Sequence, residues 1–187
     1  MKKHLLTACL YTLLTSVLLG IGYPLLITGI AHLTMRKNAD GQMIQRGSEV
    51  VGSALIGQPF TGATYFHSRP SAAGTGYDAS SSSGSNYGPT NKALIDRVDA
   101  SVKSEAVQGP VPVDLVTASG SGLDPDITPA AALYQAPRIA SERHIPLSAI
   151  IELINRNTTP RQFGLLGEPR LNLLKLNLAL DAFTEKP

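Results

Sequence analysis

The chain has 187 residues, a length for one domain or one domain plus an anchor, and its formal net charge is only +2. Lys and Arg are scattered, aromatics make up 5% and Trp is absent, so nucleic acid is not expected as a partner: there is no basic stripe and no stacking platform. The one cysteine, Cys9, lies in the apolar N-terminal segment, which excludes disulfides and Cys-based zinc sites elsewhere, and His4, His32, His67 and His144 are too dispersed to suggest a metal cluster.

No Lys, Arg, Asp or Glu occurs from Leu5 to Met35. A membrane crossing needs about 20 such residues, and in lipid the backbone must satisfy itself, so the run predicts a membrane helix over residues 1–35. It is too long for the apolar core of a secretory signal, and no A-x-A site follows it. Leu6-Thr7-Ala8-Cys9 faintly resembles a lipoprotein cleavage site, but too few residues precede it. Pro24, with Gly20 and Gly22 nearby, predicts a kink that neighbouring helices would tolerate, and Ser16 and Gly20 form a small-xxx-small pair for close helix approach. Lys2 and Lys3 flank one end while Arg36, Lys37 and Arg46 follow the other, so charge alone leaves the orientation open.

Residues 36–48 are polar and read as a connector, and residues 49–187 as a small α+β soluble domain. Residues 49–57 favour a strand, and Thr61 to His67 reads as a second. The Ser- and Gly-rich run from Ser71 to Thr90 is loop. Asn91 to Val107 predicts a helix, with Leu94, Val98 and Val102 at helical spacing and an Asp99 to Lys103 pair. Residues 113–118 read as a short buried strand. Thr128-Pro129 supplies an N-cap and a first-turn proline for a helix that Pro137 should kink or end. Leu147 to Asn155 predicts another helix. Residues 174–180 alternate like a strand, but their Leu and Ala content and Asn172 as an N-cap favour helix.

Catalytic signatures are weak. There is no P-loop and no Asp-Lys-Thr-Gly-Thr phosphorylation motif. Gly74-x-Gly76-x-x-Ala79 mimics a dinucleotide fingerprint without a βαβ unit around it. Ser119 and Ser121 follow a predicted strand near Asp124 and Asp126, which would suit an anchored extracytoplasmic hydrolase, yet neither sits in a G-x-S-x-G elbow. Asp124-Pro125-Asp126 lacks the remaining ligands of a calcium loop, and carboxylates there would favour the helix start at Thr128. An anchored solute-binding module is the third reading, although 14 acidic against 16 basic residues form no cation trap.

Four blocks together resemble the C chain of the Kdp potassium-transporting ATPase. They are residues 65–71 (YFHSRPS), 83–91 (SGSNYGPTN), 113–125 (VDLVTASGSGLDP) and 176–181 (LNLALD), preceded by the apolar helix. Two positions depart from that pattern: Asp126 stands where the family often has His, and Leu171 where it often has Val. The resemblance implies that the Ser/Gly stretch is ordered, with Gly84 and Gly88 giving backbone freedom and Arg69, Ser85 and Asn86 giving hydrogen bonds; Ser119, Ser121 and Asp124 belong to the same family-motif loops.

It further implies a non-catalytic subunit of a high-affinity potassium uptake pump in the bacterial inner membrane, with its soluble domain outside the cytoplasm. The partners would be membrane lipid, a channel-like potassium-translocating subunit, the P-type ATPase catalytic subunit and a small single-helix subunit. The family is described as a catalytic chaperone raising ATP affinity in the ATPase subunit, so ATP contact is an expectation carried by the resemblance alone. No intrinsic cofactor or metal is expected.

Overall fold

A computed structural model describes residues 1–105 and 109–184. It divides into two units, residues 1–51 and 52–187.

The first unit is dominated by one apolar helix, α1 (Lys2–Val17), continuing through a π-helical turn (Leu18–Gly22) into α2 (Tyr23–Thr34). At 33 residues it is long and apolar enough to cross a membrane; its axial length of about 50 Å exceeds the ~30 Å hydrocarbon core. The π turn has an identifiable cause. Pro24 has no N–H and its ring crowds the preceding turn, and the wider turn lets the Tyr23 N–H reach the Leu18 carbonyl instead. Inside the apolar segment, Thr15 and Thr34 hydroxyls bond back to Tyr11 O and Ile30 O at 2.8 Å, which satisfies them without water.

Residues 36–48, the expected connector, carry a helical turn, α3 (Arg36–Ala39), and a strand, β1 (Met43–Arg46), which pairs with β2 (Glu49–Ser53). The strand expected over 49–57 therefore ends at Ser53.

The second unit builds its core on three helices: α5 (Pro129–Arg143), α6 (Leu147–Asn157) and α7 (Leu173–Thr184). Ile139, Ile150, Ile154, Leu171, Leu176 and Leu180 meet there with Phe66, all fully buried. A two-residue ribbon, β3 (Asp126–Ile127) against β4 (Leu171–Asn172), pairs antiparallel and sets the starts of α5 and α7 side by side. The α+β class holds, with little strand. Leu171 lies in the core, where an aliphatic residue of similar size would also fit.

Helix starts follow their local signals. The Thr128 hydroxyl accepts from the Ala131 N–H at 3.1 Å, and Asn172 Oδ1 accepts from the Lys175 N–H at 3.2 Å. Such caps contribute about 1 kcal/mol each. Pro137 does not end α5; it lies with Leu133, whose carbonyl it frees, on the exposed side, where water can satisfy that group. The helix expected over 91–107 is α4 (Lys92–Glu105), and the expected end at Val107 lies outside the described residues.

Two expected strands are absent among the described residues. Residues 113–118 form a 3₁₀ turn, Val113–Leu115, where Pro112 precedes a local i→i+3 pattern that no partner strand displaces. Thr61 to His67 has no ladder partner: the Tyr65 N–H closes a turn on Gly62 O at 3.0 Å, and side chains bond Phe66 and His67.

Candidate functional site

Buried backbone must find hydrogen-bond partners, and apart from the Tyr65 N–H, which bonds Gly62 O, residues 64–67 find theirs in four polar side chains of α5 and α7. Asn177 Oδ1 accepts from the Phe66 N–H at 3.0 Å while its Nδ2 donates to the Phe66 carbonyl at 3.1 Å. Gln135 does the same for His67, accepting at 2.6 Å and donating at 3.3 Å. Each carboxamide thus takes the place of a neighbouring strand. Gln135 and Asn177 are only 2% and 1% exposed, so water cannot substitute for them without rearrangement.

Two arginines complete the clamp. Arg138 donates to Ala63 O, to Tyr65 O at 3.0 Å and to Gln135 Oε1 at 2.9 Å. Arg143 donates to Thr64 O at 2.7 Å and to Asp181 Oδ1 at 2.8 Å, and its guanidinium lies 4.7 Å from the Tyr65 ring centre. Tyr65 Oη donates to the other oxygen of Asp181 at 3.3 Å.

Beyond the clamp the chain enters a knot of loops. Arg69 Nη1 donates to Asp124 Oδ2 at 2.8 Å, the Ser71 hydroxyl donates to Gly122 O at 2.6 Å, and the Ser83 N–H donates to Ser121 O at 2.9 Å. Tyr77 sits at φ 59°, a costly position for a bulky residue, held there by its N–H on Ser71 Oγ at 2.8 Å and its hydroxyl on Arg69 O. Burial raises the Tyr77 phenol above its usual range.

The loop that carries Ser85 and Asn86 is tied to Ser121 O by the Ser82 hydroxyl at 3.0 Å and by the Ser83 N–H. The left-handed residue is Asn86 at φ 55°, not Gly84 or Gly88. Gly84 is needed for close approach instead, since a Cβ there would lie 3.0 Å from Gly120 O. Gly74 and Gly76 fall in the same irregular stretch with no strand or helix beside them, so they form no dinucleotide site.

The Asp124 region also differs from expectation. Asp124 pairs with Arg69 and accepts from the Asp126 N–H at 3.0 Å, while the start of α5 is held by Asp114, whose Oδ2 accepts from the Thr128 N–H at 2.8 Å. Asp114 is buried and was not singled out from sequence; its place in the 113–125 block was the available signal. Asp126 pairs with Arg170 at 2.9 Å, and burial raises its carboxyl above the ordinary value.

An open cleft of about 340 Å³ lies beside this knot, lined by Phe60, His67, Arg69, Tyr77, Ser101 and Glu105 among others. Arg69 Nε is buried there without a partner. His67 Nδ1 lies 3.6 Å from Glu105 Oε1, and the imidazole beside it is the main cause holding the Glu105 carboxyl below its usual value, against partial desolvation. A lowered carboxyl contributes stability above its unfolded pKa and loses it as pH falls through the folded one. Glu105→Gln is therefore expected to flatten the loss of stability on acidification through the carboxylate range, measured by urea titrations of the full chain in detergent. An unchanged acid slope would remove the His67–Glu105 contact from that role.

No serine chemistry is assembled. Ser119 Oγ lies 3.4 Å from Ser121 Oγ, and Ser121 Oγ accepts from the Leu123 N–H. His67 bonds Gly62 O and faces Glu105, while His144 is the exposed left-handed cap of α5. No group of three or more His, Cys, Asp or Glu side chains that could hold a metal occurs among the described residues. In the anchor, Ser16 lies in α1, Gly20 in the π turn and Pro24 in the first turn of α2.

The sequence blocks at 65–71, 83–91, 113–125 and 176–181 thus meet through Phe66–Asn177, Tyr65–Asp181, Arg69–Asp124 and Ser83–Ser121. Residues 5–182 match the family described as "K+-transporting ATPase, c chain". This chain belongs to the KdpC family. It is 63% identical over 180 residues to the potassium-transporting ATPase KdpC subunit of Acidobacterium capsulatum, covering 96% of this chain and 98% of that relative. The KdpC subunit of Koribacter versatilis is 53% identical over 190 residues, covering 100% and 98%. That of Gemmatimonas aurantiaca is 53% identical over 189 residues, covering 98% and 95%. As a member of the family, the chain is an accessory, non-catalytic subunit of the Kdp potassium uptake ATPase complex.

Proposed function

We propose that this chain is a single-pass subunit of the bacterial inner membrane, with its second unit outside the cytoplasm, and that the potassium pump needs it for assembly and activity. Residues 1–35 serve as the anchor, 36–48 join it to the rest, and 49–187 form the extracytoplasmic part. Its partners are a channel-like potassium-translocating subunit, the phosphorylated P-type ATPase and a small single-helix subunit.

The observation that carries this reading is the helix Lys2–Thr34, none of whose 33 residues is buried within its own chain. A helix apolar on all sides requires lipid or other helices as its surroundings. Ser16, Gly20 and the π turn before Pro24 offer a close-approach face, since a Cβ at Gly20 would meet nothing within 4 Å.

The expected result is that the C-terminally tagged chain, extracted in mild detergent from potassium-starved cells, co-purifies with a P-type ATPase and a channel-like subunit. A chain eluting alone, in detergent that preserves other complexes, would sink the assignment. The reading includes a raised ATP affinity in the ATPase partner. If the chain touches nucleotide itself, the cleft beside the free Arg69 Nε is the place for it. The KM for ATP of the complex, measured with and without this chain, checks that part.

A further inference from the structure

One wall of the cleft beside Arg69 is built differently from the rest. His67 is fixed by Gln135, Arg69 by Asp124, Tyr77 by Ser71 and the Arg69 carbonyl, and Leu115 belongs to the core. A further wall is made by Ser101, Ser104 and Glu105 of α4. None of the 14 residues of α4 is buried, whereas α5, at 15 residues, buries five.

The helix itself is well made. Asn91 Oδ1 accepts from the Ala93 N–H at 2.8 Å and Lys92 pairs with Asp96 at 2.7 Å, which lets α4 move as a unit. Only a narrow stripe of Leu94, Arg97, Val98, Ser101 and Glu105 is half-buried. Within it Arg97 Nε is buried without a hydrogen-bond partner, a cost that seating the helix incurs and that water would relieve. Every residue from Asn86 to Ala93 is exposed, so α4 has no buried anchor at its start. What holds it is the last turn. Tyr134 Oη donates to Glu105 O at 2.9 Å, and the Glu105 carboxylate lies 3.6 Å from His67 Nδ1, with Arg138 adding its charge.

We propose that α4 is a hinged wall of the cleft: it swings as one helix about residues 86–90 and is latched in place through Glu105 by Tyr134 and His67. Glu105 is the one carboxylate lining the cleft among the described residues, so the swing changes charge as well as width. Seated, the helix brings a negative charge to the His67 side; displaced, it takes that charge away and widens the entrance to Arg69. The device lies wholly within the second unit and does not rest on the subunit reading.

The test is pulsed electron paramagnetic resonance on the full chain in detergent, with Cys9→Ser removing the native thiol. Spin labels on Asp99→Cys of α4 and Glu152→Cys of α6 report where the helix sits. A second pair, Glu152→Cys with Lys175→Cys, reports the core. A third, Lys92→Cys with Lys103→Cys, reports α4 itself, where an intact helix holds about 16 Å. All five labelled positions are exposed.

The latch is removed by Tyr134→Phe with Glu105→Gln. The expected result is a second, displaced 99–152 distance whose share relative to the seated one rises roughly tenfold or more, as the loss of two polar ties implies. The other two pairs should not change. Tyr134→Phe alone should act in the same direction by a smaller factor. An unshifted 99–152 distance overturns the proposal. So does a broadened 92–103 distance, which would mean that α4 melts rather than swings. A change in the 152–175 pair overturns it as well, because the whole domain would then be loosening.

Discussion

Replacing Asn177 with Leu is expected to destabilise the folded domain by about 2–6 kcal/mol. Leu is larger than Asn, so the change opens no cavity. What it removes is both hydrogen-bond partners of the buried Phe66 peptide groups, at 3.0 and 3.1 Å. A buried backbone group left without a partner costs about 1–3 kcal/mol, and here there are two. Against a typical total stability of about 5–15 kcal/mol this is a large loss. Urea denaturation of the full chain in detergent, followed by circular dichroism, would measure it. A change below about 1 kcal/mol would mean that residues 64–67 find other partners and that the carboxamide clamp is not what holds them. Gln135→Leu is the companion variant, with a similar expected direction because Gln135 serves the His67 peptide groups in the same way.

The second large effect is expected at Gly122. Its φ is +66°, and a Cβ there would lie 2.5 Å from Ser83 O and 2.7 Å from Ala73 N, both backbone atoms. Gly122→Ala therefore combines left-handed strain of about 1–2 kcal/mol with the breaking of the Ser71 and Ser83 ties, about 1 kcal/mol each. The expected total is about 3–4 kcal/mol, together with loss of hydrogen-exchange protection at the Ser83 amide. Gly120→Ala is the control: a Cβ at Gly120 meets nothing within 4 Å and its φ is not positive, so stability should change by no more than about 0.5 kcal/mol. Equal behaviour of the two variants would show that the knot does not depend on close packing at Gly122.

Both predictions concern places where local sequence signals misdirect. Asn177 interrupts an apolar helix face, where a polar residue would ordinarily be read as facing solvent. Its role appears only when Phe66, 111 residues earlier, is laid against it. Thr61 to His67 has strand-like composition, but it folds through a turn at Gly62–Tyr65, and most partners of 64–67 are side chains, which no strand pattern encodes. Residues 113–118 were read as strand from their apolar content, yet Asp114 belongs to the core by bonding the Thr128 N–H. The exposure of Phe163, Leu165 and Leu166 has no legible trace either, since apolar residues in a short loop read the same whether they are covered or exposed.

The sequence by itself determined the anchor, the starts of α5 and α7, the span of α6 and the family blocks. Those features rest on interactions within a turn or two: an uncharged apolar run, a Thr or Asn side chain reaching three residues ahead, and helical spacing of aliphatic residues. Only the tertiary structure decided which blocks meet, which backbone groups the carboxamides of Gln135 and Asn177 satisfy, and which carboxylate holds the start of α5. It also decided which apolar side chains stay uncovered. Each of these depends on partners distant along the chain, whose pairing is fixed when the whole domain packs and every buried polar group has to be satisfied.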